Sequence, residues 1–87
     1  MQIKYHREFT KNYKKRIALN PKLVNQFRKQ LEKFIQDFNN PILKDHKLIG
    51  EKSEYRAFSI TGDVRVVYKI VDNEIWLYDI GSHNQVY

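Results

Sequence analysis

Two hydrophobic periods, one after the other, constrain this chain more than any other feature. Leu23, Val24, Phe27, Leu31, Phe34, Ile35 and Phe38 recur at steps of three and four, which predicts an amphipathic helix over about residues 21–38. From Tyr55 onward the step becomes two. Val64, Val66, Tyr68 and Ile70 alternate with Arg65, Val67, Lys69 and Val71, a strand with one greasier face. Asn39-Asn40-Pro41 divides the two regimes, because the residue before a proline is pushed out of the helical region. A chain of 87 residues has room for one core, so helix and strand must share it and residues 1–87 read as a single domain.

The remaining elements follow from shorter signals. Ile3 and Tyr5 alternate with Gln2 and Lys4, a short opening strand. Phe9, Tyr13 and Ile17 recur every fourth residue among charges, a helix over roughly 7–18. Asn20-Pro21 supplies a good cap and a proline suited to the first helical position. Tyr55 to Ile60 reads as a strand closing on Thr61-Gly62-Asp63, and Asp72-Asn73 reads as a hairpin turn into a strand over 74–80. Gly81-Ser82-His83 is expected to leave the sheet. The predicted class is α+β in the order β-α-α-β-β-β, with two N-terminal helices on one face of a small, mostly antiparallel sheet. The opposite face is then left open, with Asp63, Arg65, Lys69 and Asp79 available to line it.

Charge narrows the partners. Residues 1–35 hold ten Lys and Arg against two Glu, whereas residues 36–87 hold six basic and eight acidic side chains. A strongly cationic half on a small domain is an electrostatic footprint for a polyanion, with a solvated Lys-rich helix face as the plainer explanation. With no cysteine, the chain has neither disulfides nor a Cys-based zinc site. No apolar run is long enough for a bilayer, and the Lys-rich start does not lead into a signal-peptide apolar region, so a cytosolic, membrane-free protein is expected.

The residues that carry chemistry lie in the second half. His46 and His83 sit in loops rather than on apolar stripes, and no two His are at metal-ligand spacing. His6 opens the first helix without an obvious colleague and reads as structural. Arg65 stands mid-strand, where a long cation needs an open face or a carboxylate such as Asp63, two residues earlier on the same face. Two imidazoles and a guanidinium suit RNA cleavage by attack of a 2′-hydroxyl on the adjacent phosphate. His can serve as base or acid, and Arg can stabilise the phosphorane. Tyr87 or Tyr55 could stack an unpaired base.

Lys44-Asp45-His46-x-Leu48-x-Gly50, Tyr55-Arg56, Asp63-x-Arg65-Val66-Val67-Tyr68-Lys69-Ile70 and Gly81-Ser82-His83 with a late aromatic together resemble the RelE/ParE superfamily of toxins, nearest its YafQ branch. The resemblance implies the toxin of a type II toxin–antitoxin pair, acting as a ribosome-dependent, metal-independent mRNA endoribonuclease that needs no cofactor. It carries the active site onto His46, Asp63, His83 and Tyr87, and the RelE-like strand pattern adds Arg65. The implied roles are His83 as general acid, His46 as base or phosphate contact, Asp63 as an orienting group, Arg65 on the phosphorane and Tyr87 as a stacking ring. YafQ-like sequences carry a His where this chain has Ser59, a Trp at Val64 and an Arg at Asp79, so Arg65 is expected to take over phosphate stabilisation. Lys11, Lys14, Lys15, Arg16, Lys22, Arg28, Lys29, Lys33, Lys47 and Arg56 are the candidate contacts to ribosomal and messenger RNA. The implied partners are the ribosome, mRNA, and an antitoxin whose acidic segment wraps the toxin and through which alone operator DNA is reached. Two other readings remain: a ParE-like gyrase poison, for which the His and Arg set has no use, and a degenerate, non-catalytic basic binding module.

Overall fold

The computed structural model describes residues 2–87. Strand β1 (Gln2–Tyr5) leads into helix α1 (Arg7–Arg16), and Asn20 then caps helix α2 (Pro21–Gln36), its side-chain oxygen accepting from the Lys22 and Leu23 amides at 3.1 and 3.2 Å. His6 caps α1 in the same way, its Nδ1 accepting from the Glu8 amide. Both helices stop about two residues short of the sequence expectation. Ile17 instead begins a turn, and Asp37 is already extended before the Asn39-Asn40-Pro41 break.

The second half forms β2 (His46–Lys47), β3 (Arg56–Ser59), β4 (Val64–Val71) and β5 (Glu74–Ser82), and a four-residue helix α3 (His83–Val86) follows. The sheet order is β1-β5-β4-β3-β2, antiparallel throughout except that β1 runs parallel to β5. Asp72 and Asn73 both take positive φ in the β4–β5 turn, at 48° and 65°, the left-handed pair such a tight hairpin requires. Among the described residues, no helix is long and apolar enough to cross a membrane.

The main core lies between the two long helices and the sheet. Phe34 is fully buried, stacked 4.3 Å from Phe58 and edge-on to Tyr68, and Val66, Ile75, Leu77 and Ile80 complete that face. The other face departs from expectation. It is not left open: α3 and the β2–β3 connection fold over it, and Val86, Leu48, Ala57 and Val67 make a second, smaller apolar cluster with Tyr55. Gly81 and Ser82 do not leave the sheet either, since they pair with Arg65 and Val64 and the chain turns away only at His83.

Candidate functional site

Asp45 fixes the first wall of the site. Its side chain is only 10% exposed, and its carboxylate accepts from Arg56 Nε at 3.0 Å and from the Tyr68 hydroxyl. Burial and the hydrogen bond to Asp45 push the Tyr68 phenol well above its usual range. Burial opposes the charge on Arg56, but Tyr68 and Asp45 outweigh it and raise the guanidinium's pKa. Lys44 takes a left-handed φ of 51° to turn the chain, so His46 emerges exposed at the sheet edge while the Asp45 side chain turns inward. His46 Nδ1 lies 3.0 Å from the Lys44 carbonyl oxygen. In the neutral ring that contact holds the proton on Nδ1 and leaves the Nε2 lone pair free to accept one.

The end of β5 builds the facing wall. Ser82 and Gln85 form a capping box, with the Ser82 amide donating to Gln85 Oε1 at 2.7 Å. The His83 amide donates to Asp63 Oδ1 at 3.4 Å. One helical turn later Tyr87 meets His83 edge-on, ring centres 4.6 Å apart, and lies 6.4 Å from the His46 ring. Lys52 Nζ donates to the Val86 carbonyl oxygen at 2.7 Å, tying α3 to the β2–β3 connection. The result is a cavity of about 440 Å³ lined by His46, Lys47, Ile49, Lys52, His83 and Tyr87.

Arg65 does not line this cavity; it is paired across the ladder with Gly81, two residues before His83. Its expected partner Asp63 is not the one it takes. Asp63 sits in the turn before β4 and is turned to the His83 backbone, so Arg65 Nη1 donates to Ser59 Oγ at 2.9 Å instead. Burial raises the Tyr87 phenol pKa, and the Arg65 charge works against that rise, so the guanidinium and the phenol share one field. The cavity therefore brings His46, His83 and Tyr87 together, Asp63 holds the backbone on which His83 stands, and Arg65 acts on Tyr87 through its charge.

The cations divide into free and engaged groups. Lys11, Lys14 and Lys15 on α1, and Lys22, Arg28 and Lys29 on α2, are exposed, while Lys33 is half-buried and leans 3.4 Å from Gln30 Oε1. Arg16 reaches over the edge of β5 to Asp79 Oδ1 at 3.3 Å and the Ile80 carbonyl at 3.0 Å, and Asn12 donates to the same carboxylate oxygen at 2.7 Å. Asp79 does stand beside the second face, opposite Val67, but α1 holds it there. Arg56 serves Asp45 and Tyr68. Sequence reasoning missed β2, α3, the inward turn of Asp45 and the role of Lys52. The Ser82-x-x-Gln85 spacing was the available signal for α3.

A sequence model of the family described as "Bacterial toxin of type II toxin-antitoxin system, YafQ" matches residues 1–87. The chain belongs to the YafQ toxin family. Solved structures agree in fold. A copper-bound mutant toxin from Helicobacter pylori is similar at 28% identity and TM-score 0.77, covering 100% of this chain and 99% of its own. A YafQ point mutant from E. coli superimposes with TM-score 0.82 at 20% identity, over 99% of this chain and 97% of that one. YafQ in the E. coli DinJ–YafQ complex gives TM-score 0.80 at 22% identity, with the same coverage. No curated protein sequence matches the chain. The copper is a property of the H. pylori protein. Among the described residues of this YafQ-family chain, no three His, Asp or Glu side chains converge as a metal site needs.

Proposed function

We propose that this YafQ-family toxin is a ribosome-dependent mRNA endoribonuclease, held inactive by a cognate antitoxin. The observation that carries the reading is the shared cavity of His46, His83 and Tyr87, with the Arg65 charge acting on the Tyr87 phenol. The His46 Nε2 lone pair suits removal of the 2′-hydroxyl proton, and His83 suits its return to the departing 5′-oxygen, each worth about 10²–10⁴-fold in rate. Arg65 supplies fixed positive charge for the phosphorane, worth about 10²–10³-fold for a donor of that kind. Its hydrogen bond to Ser59 Oγ holds the guanidinium in place for that role. Asp63 positions His83 through the backbone.

The exposed lysines and arginines of α1 and α2 give the toxin a polycationic side for ribosomal RNA, and that contact should weaken steeply with salt. The E. coli DinJ–YafQ pair is a toxin–antitoxin complex. By the same logic, the partner here is an antitoxin that presents an acidic segment to this surface and orders as it binds.

The test is cleavage of one defined mRNA, naked or on programmed ribosomes kept in magnesium, with EDTA reserved for the naked RNA. Cuts on the ribosome that fall at least tenfold in single turnover for a folded His83→Ala variant are expected. Wild-type rates in that variant would remove His83 from the mechanism. No cuts from folded, antitoxin-free protein would refute the nuclease reading. DNA damage without RNA cuts would indicate a gyrase poison, and no growth arrest a degenerate binder.

A further inference from the structure

A second cavity, of about 220 Å³, opens on the same face of the sheet, across α3 from the first. A β-bulge makes it. Val67 pairs with Asp79 and Tyr68 with Leu77, so Tyr78 has no partner on β4. Leu77 and Ile80 are both fully buried in the main core, which turns the two residues between them, Tyr78 and Asp79, away from it. Tyr78 is half-buried, stacked on His6 at 4.4 Å and met edge-on by Tyr55 at 5.2 Å, and Lys69 Nζ lies 5.6 Å over the Tyr55 ring. The tyrosine rings wall a recess that Val67 and Val86 floor with apolar surface.

The polar groups at its rim point to a particular guest. Glu8 and Asp79 both line it. Among the described residues the Glu8 carboxylate forms no ion pair, and Asp79 uses Oδ1 alone for its contacts with Asn12, Arg16 and the Ile80 amide. The Glu8 carboxylate and the uncommitted Asp79 Oδ2 among tyrosine rings suit a flat, neutral ring carrying N–H donors. Lys52 lines both cavities and grips the Val86 carbonyl, one residue before Tyr87, so the recess adjoins the proposed cleavage site along one chain path. We infer that this recess is a subsite for an unpaired, amino-bearing nucleobase next to the cleaved phosphate, best filled by guanine, whose N1–H and N2–H donors match a carboxylate. The inference rests on the RNA reading of the first cavity and adds to it a base preference.

The experiment uses the full chain and uncleavable 2′-O-methyl pentanucleotides, all-U or with a single G, labelled for fluorescence anisotropy. The wild type should bind the G-containing strand about tenfold more tightly than all-U. Tyr55→Ala should weaken both strands about tenfold, the scale of one lost stacking contact. Glu8→Gln lies on an exposed first helical turn, so its fold is safe, and it should bring the G preference to within about twofold without weakening all-U binding. The methyl resonances of Val67 and Val86 should shift with the G strand. Equal affinity for both strands, or a G preference unchanged in Glu8→Gln, would overturn the subsite. So would methyl shifts produced only by an antitoxin peptide. Because binding is read without cleavage, a missing G preference beside normal cutting on ribosomes rejects the subsite alone. A G preference without cutting rejects the nuclease reading alone.

Discussion

Replacing Tyr68 by Phe tests whether Asp45 anchors the wall that presents His46. The tyrosine ring is 2% exposed and stays packed against Phe34 and Phe58 in the variant, so no cavity opens and the change isolates one hydroxyl. That hydroxyl donates to a carboxylate whose side chain is only 10% exposed. A hydrogen bond to a charged group contributes about 1.5–3 kcal/mol, and Arg56, at 3.0 Å, still holds the other oxygen, so the expected loss lies toward the lower figure. For a domain of this size that lowers Tm by roughly 10 °C. The pH dependence adds a second signature. The folded phenol pKa is raised by burial and by Asp45, so its stabilisation is complete below the unfolded value of about 10 and is lost as pH rises toward the folded one. The gap between wild type and Tyr68→Phe should therefore be constant from pH 7 to 9. It should then narrow above pH 10, by at most about 1.4 kcal/mol per pH unit for one proton. Urea unfolding of both proteins at pH 7, 9, 10 and 11 reads it directly. A difference under about 0.5 kcal/mol at pH 7, or a gap that does not narrow above pH 10, would refute the anchoring argument.

Other consequences are simpler to state. Arg65→Gln should raise the Tyr87 phenol pKa further, read by ultraviolet titration against a Tyr87→Phe blank, because the Arg65 charge now opposes the rise; no change would separate the two groups. Gly81→Ala would set a methyl 2.6 Å from Gln85 Oε1 and 2.8 Å from Arg16 Nη1, displacing both. Loss of the α3 cap and of the Arg16 contact should cost about 1–2 kcal/mol in chemical denaturation, and an unchanged midpoint would show that both side chains step aside freely. Asn20→Ala should cost about 1 kcal/mol by removing the cap of α2, a loss that Asn20→Ser should largely restore.

The parts of the site that were legible in the sequence are the ones that depend on short-range pattern. His46 and His83 stood out because neither lies on an apolar stripe, and the structure brings both to one cavity with Tyr87. Arg65 is conspicuous as a cation in mid-strand, but the carboxylate that the spacing offers it is not the group it bonds. Period-two spacing puts Asp63 on the same face, yet Asp63 lies outside the strand, where the turn directs its carboxylate to the His83 amide. The Tyr78 recess was invisible for a related reason. A bulge depends on how two strands register against each other, and alternation within one strand carries no record of it.

The sequence alone determined what local physics controls. The three-and-four spacing fixed two helices, Asn20-Pro21 and Asn39-Asn40-Pro41 bounded the second, and Asp72-Asn73 supplied the left-handed pair that closes the β4–β5 hairpin. The uneven charge, also plain from sequence, put the cations on those helices. Tertiary structure decided the rest, because it depends on residues far apart in the chain. β1 joins β5 in parallel across some seventy residues, and Arg16 reaches over the β5 edge to Asp79, a separation of 63. Tyr68 draws Asp45 inward over 23 positions, and α3 folds back so that Val86 seals the second face and Tyr87 meets both imidazoles. No local propensity encodes these contacts. They form because a chain this small must cover both faces of its sheet, and burying Val86 against Val67 and Ala57 carries Tyr87 to the cavity.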